Sequence, residues 1–144
     1  MRIAIASDHA GFALKQQLKT VLAEKGHEVR DFGPSSDEST DYPDYGALVG
    51  RAVSEGQADR GVLICGSGIG MCMVANRFPK VRAAVLRDEN DALMSRRHND
   101  ANVACFGGRV TEPDLAAKLI DLFLSTEFEG GRHARRVGKI DKVC

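Results

Sequence analysis

Two kinds of apolar period alternate along the chain. Short runs rich in β-branched and small side chains occur at Arg2 to Ala6, Glu28 to Phe32, Gly61 to Cys65, Val81 to Leu86 and Asn102 to Phe106. Each is about one strand long, and most end at Gly or Asp. Helical periods lie between them. Leu14, Leu18, Val21 and Leu22 repeat at helical spacing and stop at Gly26, and Tyr45, Leu48, Val49, Ala52 and Val53 do the same before Gly56. Leu115, Leu119, Leu122 and Phe123 follow Thr111, with Pro113 where a first helical turn tolerates it. Strands alternating with helices predict a parallel sheet covered on both faces.

Gly33 to Asp44, with Pro34, three serines and several acids, is the longest aperiodic segment and is expected to be a surface loop. From Gly130 the character changes to Gly-Gly followed by Arg132, His133, Arg135, Arg136, Lys139 and Lys142, which by itself reads as a solvated basic helix. Residues 1–144 are expected to form a single domain, with 130–144 as a basic C-terminal segment.

Charge narrows the function. The chain holds 20 Lys plus Arg against 20 Asp plus Glu, so it has no global field for nucleic acid, and an anion site has to be local. That neutrality is an average: residues 28–59 carry eight acids and two bases, whereas residues 132–144 carry five bases and one acid. No run approaches the roughly 20 apolar residues of a membrane span, and the opening Met1-Arg2 leads straight into a strand-like run, so a cytoplasmic protein with no membrane partner is expected. Cys65, Cys72, Cys105 and Cys144 form no CxxC pair and have no zinc-type His spacing, so neither a metal nor a disulfide framework is expected.

In open α/β sheets, ligands bind beyond the carboxyl ends of strands, where the strand order reverses. If the order is 2-1-3-4-5, the first and third strands flank that point. The clusters Asp8-His9 and Cys65-Gly66-Ser67-Gly68-Ile69-Gly70 would then face one crevice, with Arg109 near it after the fifth strand and His98-Asn99 just before that strand. Alternating glycines ahead of a helix starting near Ile69 let backbone N–H groups point at an anion; a ligand-free tight turn is the plainer alternative. A P-loop would need Gly-Lys-Ser or Gly-Lys-Thr, a dinucleotide fingerprint Gly at 71, and a small tyrosine phosphatase Arg at 71; Met71 stands there.

Cys65 is the sharpest residue of the loop, a thiol at a strand end facing a helix start, available as base or nucleophile. Cys105 fits a core strand; Cys72 and Cys144 suggest no chemistry. His27 belongs at the opposite end of the sheet, whereas His9, His98 and His133 sit beside polar groups able to orient a small ligand. Arg132 and Arg136, four apart, share a helix face, and guanidinium forks match phosphate. A phosphorylated ligand smaller than a nucleotide follows.

Ser7-Asp8-His9-Ala10-Gly11-Phe12, Asp41-Tyr42-Pro43, Ile64-Cys65-Gly66-Ser67-Gly68-Ile69-Gly70, Ser95-Arg96-Arg97-His98-Asn99-Asp100, Phe106-Gly107-Gly108-Arg109 and Glu129-Gly130-Gly131-Arg132-His133 occur in this order. Together they strongly resemble the type B ribose-5-phosphate isomerases, a family that includes galactose-6-phosphate isomerase subunits and allose-6-phosphate isomerases. The resemblance covers essentially the whole chain. It implies a flavodoxin-like, doubly wound (Rossmann-like) domain, assembled as a homodimer or homotetramer with shared active sites. It also implies a cofactor-free aldose–ketose isomerase of the pentose phosphate pathway, an intramolecular oxidoreductase working through an enediolate on a small phosphosugar.

By that resemblance Cys65 is the base between C1 and C2, and Ser67 with the Gly66, Gly68, Ile69 and Gly70 amides steadies the enediolate. His98, helped by Asp8, opens the sugar ring. Asn99 holds a sugar oxygen, and His9, Arg109, Arg132 and Arg136 bind phosphate and sugar. Some members carry a Glu base one residue past the last loop glycine; Met71 at that position leaves Cys65 as the matching base. A 6-phosphohexose substrate and a non-catalytic phosphosugar sensor are the alternative readings.

Overall fold

In the computed structural model, which describes residues 1–143, the five apolar runs become β1 (Arg2–Ser7), β2 (Glu28–Asp31), β3 (Arg60–Cys65), β4 (Ala83–Val85) and β5 (Val103–Gly107). Between and after them lie α1 (Phe12–Glu24), α2 (Tyr42–Ser54), α3 (Ile69–Ala75), α4 (Glu89–Arg97), α5 (Pro113–Ser125) and α6 (Arg132–Ile140). Every strand pairing is parallel. Cys144 lies outside the described residues.

Alternation along the strands sorts the core into two layers. Ile3, Ile5, Val62, Ile64, Ala104 and Phe106 face Leu14, Leu18 and Leu22 of α1 and Leu119 and Phe123 of α5. Ala4, Ala6, Leu63, Cys65, Val103 and Cys105 face Val49, Ala52 and Val53 of α2 and Met71 and Ala75 of α3. The chain exposes 7465 Å² against roughly 22,600 Å² for an unfolded chain of 15.6 kDa, so about two thirds of its surface leaves water. That burial supports the fold without a disulfide. Among the described residues, no helix is long and apolar enough to cross a membrane.

The strand order is 2-1-3-5-4, not the expected 2-1-3-4-5. Burial explains the exchange. Val103, Ala104, Cys105 and Phe106 are all 0% exposed, which requires strands on both sides and helices on both faces. The three residues of β4 are only half-buried and are framed by Arg82 and Arg87, as suits an edge. The reversal between β1 and β3 is unaffected, so the carboxyl ends of β1, β3 and β5 still meet.

Two helical details also differ. Leu48 is 42% exposed rather than in the core. Helix α4 has no apolar period in the sequence because its buried face is Ala92, Ser95 and Arg96. Buried Arg96 donates to Asp100 Oδ1 (2.7 Å), the Ala101 carbonyl (2.6 Å) and the Thr126 carbonyl (3.2 Å), doing with hydrogen bonds what an apolar residue does by packing. His27 lies beside the N-terminal amine at the far end of the sheet, as expected, and burial together with that charge lowers its pKa.

Candidate active site

Register brings the strand ends together. Ser7 lies opposite Ile64 and Cys65 opposite Gly107. The Asp8 amide donates to the Ile64 carbonyl at 3.1 Å and the Gly108 amide to the Cys65 carbonyl at 2.7 Å, so the three chain segments leave the sheet tied to one another. Beyond them opens a cavity of about 610 Å³ lined by Asp8, Tyr42, Cys65, Gly66, Ser67, Ile69, Gly70, Met73, Arg109 and Val110.

Cys65 is 5% exposed, and its Sγ accepts the Gly68 amide at 3.2 Å. Gly68 has a φ of +81°, and a Cβ there would lie 3.0 Å from the Phe106 carbonyl carbon, so both conformation and space call for glycine. Ser67 Oγ, exposed at the mouth, accepts the Ile69 amide at 3.2 Å. Gly66 has a different reason: Arg109 Nη1 lies 3.1 Å from where its Cβ would be, so the missing side chain leaves room for the guanidinium.

Asp8 is buried, and its Oδ1 accepts the Gly11 amide at 3.0 Å, which caps the turn into α1 and fixes the carboxylate at the cavity wall. His9 is half-buried and does not line the cavity; its Nδ1 lies 3.2 Å from both the amide nitrogen and the carbonyl oxygen of Thr40, which anchors the ring to the loop ahead of α2. Met71 is fully buried in the second core layer, so nothing at that position reaches the cavity.

The expected residues divide into two groups. Asp8, Cys65, Gly66, Ser67, Ile69, Gly70 and Arg109 share the cavity, with Gly68 behind the sulfur and His9 alongside. His98, Asn99, Arg132 and Arg136 do not line it. His98 caps the C-terminus of α4 and stacks on His133, with ring centroids 4.2 Å apart and planes 9° from parallel. Asn99 borders a separate cavity of about 230 Å³ with Arg82, Ser95 and Ile140. Arg132 and Arg136 are both exposed on α6, whose buried face is His133 and Val137.

Arg82 joins these distal parts, donating to Asp141 Oδ1 after α6 (3.1 Å) and to Asp100 Oδ2 (3.2 Å). Within a single chain His98 and His133 therefore stand apart from the Cys65 cavity, while His9 lies beside it. Sequence reasoning did not single out Tyr42, Met73 or Val110 as site residues. They are 40%, 67% and 72% exposed and, with Ile69, give the cavity an apolar rim. Large apolar side chains left in water at a cavity mouth are the signal, and only the fold displays it.

Residues 3–140 match the family profile described as Ribose/Galactose Isomerase. The chain is 45% identical over 142 residues to ribose-5-phosphate isomerase B of Escherichia coli (strain K12), covering 99% of this chain and 95% of that one. Its structure superimposes on that of the Clostridium thermocellum ribose-5-phosphate isomerase B with a TM-score of 0.98 at 50% identity, covering 99% and 97% of the two chains. Against the Mycoplasma genitalium ribose-5-phosphate isomerase B with bound ribulose-5-phosphate, the TM-score is 0.94 at 43% identity, covering 98% and 94%.

Proposed function

The chain belongs to the ribose/galactose isomerase family, and from that premise we propose that it interconverts ribose 5-phosphate and ribulose 5-phosphate by proton transfer through an enediolate. The observation that carries this reading is the Cys65 sulfur, held by the Gly68 amide at 3.2 Å in the wall of a cavity shared with Asp8, Ser67 and Arg109. A base, a set of amide donors and a cation thus meet in one space large enough for a pentose phosphate.

The chemistry follows from what an aldose–ketose shift demands. Cys65 takes the proton from C2, and the electron pair forms the C1–C2 double bond as negative charge moves to O1. The backbone amides of the 66–70 loop and the Ser67 hydroxyl stabilise that oxygen, each such donor being worth a few kcal/mol. Cys65 then returns the proton to C1 while the hydroxyl proton passes from O2 to O1, leaving a ketone at C2. General acid–base catalysis of this kind contributes about 10² to 10⁴-fold. Arg109 holds the phosphate end, so binding energy remote from the reacting carbons sets their position against the sulfur.

The second group of residues completes the site from another subunit. In this reading His98, helped by Asp8, opens the furanose ring. Asn99 holds a sugar oxygen, His9 contributes from beside the cavity, and Arg132 and Arg136 reach the phosphate. His98 and Asp8 belong to different groups within one chain, so a second copy brings them together as a homodimer, with 130–144 as the segment that crosses. The apolar rim of Tyr42, Ile69, Met73 and Val110 supports a covered rather than a solvated mouth.

The test is isomerisation of ribose 5-phosphate in deuterated water, following ketose formation and label at C1 and C2. Turnover with solvent exchange is expected. Higher kcat/KM on allose 6-phosphate or galactose 6-phosphate would move the substrate to a hexose, and saturable phosphosugar binding without turnover would make the chain a sensor.

A further inference from the structure

Outside the Cys65 cavity, one carboxylate straddles two imidazoles. Glu129 Oε1 lies 3.9 Å from His98 Nε2, and Glu129 Oε2 lies 3.8 Å from His133 Nε2. One ligand atom from each of the three residues falls within 4.8 Å of the other two. Among the described residues, the histidine rings that hydrogen bond are those of His9 and His27, so the stacked rings of His98 and His133 have no such partner.

The backbone beneath the cluster is set in advance. The Glu129 amide donates to the Arg97 carbonyl at 3.1 Å, and Arg96 Nε donates to the Thr126 carbonyl at 3.2 Å, which fixes the segment before α6 against the last turn of α4. Two imidazoles and a carboxylate are a zinc donor set that leaves a fourth position open.

The distances need only local adjustment. Around tetrahedral zinc, neighbouring ligand atoms lie about 3.3 Å apart, so the carboxylate–imidazole pairs at 3.8 and 3.9 Å close by about half an ångström and the widest separation, within 4.8 Å, by at most about 1.5 Å. The His98 and Glu129 side chains are 40% and 49% exposed and free to turn, whereas that of His133 is 9% exposed and supplies the fixed point. The near-parallel rings require His98 to tilt toward the carboxylate. Arg132 and Arg136 oppose any dication here, which disfavours hard cations held by charge alone and leaves those that bond strongly to imidazole.

We propose that His98, Glu129 and His133 form a binding site for a divalent transition metal of the zinc type, and that its occupation removes His98 from the phosphosugar and so inhibits turnover. The second half rests on the isomerase reading; the first does not. Calorimetric titration of the full chain with zinc, and cobalt absorption as an independent readout, test the site directly. One equivalent per chain and the visible bands of tetrahedral cobalt are expected. Glu129→Gln and His133→Asn should each weaken binding at least about tenfold, while a Cys65→Ser, Cys72→Ser double variant keeps it.

Absence of saturable zinc binding, or binding unchanged in Glu129→Gln but lost in the double cysteine variant, overturns the site. In the same protein, zinc should inhibit ribose 5-phosphate turnover reversibly on chelation, and Glu129→Gln should need at least about tenfold more zinc for the same fractional inhibition. Metal binding without inhibition overturns the regulatory half. Lack of turnover in metal-free protein instead overturns the isomerase reading and leaves the binding result standing.

Discussion

The Gly68 amide donates to Cys65 Sγ at 3.2 Å, so the N–H of the residue at the N-cap of α3 is directed at the sulfur itself. A base held in this way keeps one orientation toward a substrate carbon. Cys65→Ala removes the base and leaves the cavity walls in place. We expect kcat for ribose 5-phosphate to fall by about 10³-fold, within the range general acid–base catalysis spans, with KM little changed. Solvent deuterium exchange at C2 should fall in parallel; near-native exchange in the variant would assign the proton transfer to another group.

Gly68→Ala tests the other partner. An L-residue in the left-handed region costs about 1–2 kcal/mol, and the new Cβ would also press on the Phe106 carbonyl carbon at 3.0 Å. Urea denaturation should report a loss of about 2 kcal/mol or more, and kcat should drop because the donor to Cys65 moves. A fully stable variant with reduced kcat would separate the amide's catalytic role from its structural one.

Much of the Cys65 cavity was readable before any coordinates, because strand ends are punctuated: Asp8, Cys65 and the Gly107-Gly108-Arg109 turn each stand at or just past the end of an apolar run. The order of β4 and β5 was not readable in the same way. Sheet position depends on how completely a strand is buried, and Ala83–Val85 differs from Val103–Gly107 only in flanking charge and length. The His98, Glu129 and His133 cluster was hidden for a different reason. His98 and Glu129 are far apart in sequence, and they meet through the hydrogen bonds from the Glu129 amide to the Arg97 carbonyl and from Arg96 Nε to the Thr126 carbonyl, neither of which has an apolar signature. Arg96 also erased the period that would have announced α4.

Lys15 is a fully buried cation on α1, donating to Asp31 Oδ1 at 3.0 Å and to the Pro34 carbonyl. Burial opposes ionisation of Asp31, but hydrogen bonds from Lys19, the Gly33 amide and Lys15 outweigh it and hold the carboxyl below its ordinary range. Asp31→Asn leaves the buried ammonium without its counter-charge and should cost about 3 kcal/mol in thermal or urea unfolding. Lys15→Met in the same background should recover most of that loss, since a buried pair replaced by apolar packing is often neutral.

The same pair sets a pH dependence. The unfolded Asp31 carboxyl takes up a proton at higher pH than the folded one, so between the two values the unfolded chain binds more protons. The stabilisation is therefore complete above the unfolded value of about 3.9 and is lost as pH falls below it toward the depressed folded value. Unfolding free energy measured from pH 6 downward should decline below about pH 4 in the wild type and less steeply in Asp31→Asn. Identical slopes would assign the acid sensitivity to other carboxylates.

Division of the residues between Cys65 and His98 makes a mixing experiment decisive. Cys65→Ala and His98→Asn homodimers should each be nearly inactive. In a mixed dimer with sites shared across the interface, one site carries both substitutions and the other carries neither, so that second site is intact. Random exchange of equal amounts makes half of the dimers mixed, and half of their sites work, so roughly a quarter of wild-type activity should return. If each chain built its own site, every site in the mixture would lack either the thiol or the imidazole, and no activity would return. Subunit exchange under mild denaturant, followed by the ribose 5-phosphate assay and a mass measurement of the dimers, distinguishes these outcomes without requiring a bound ligand.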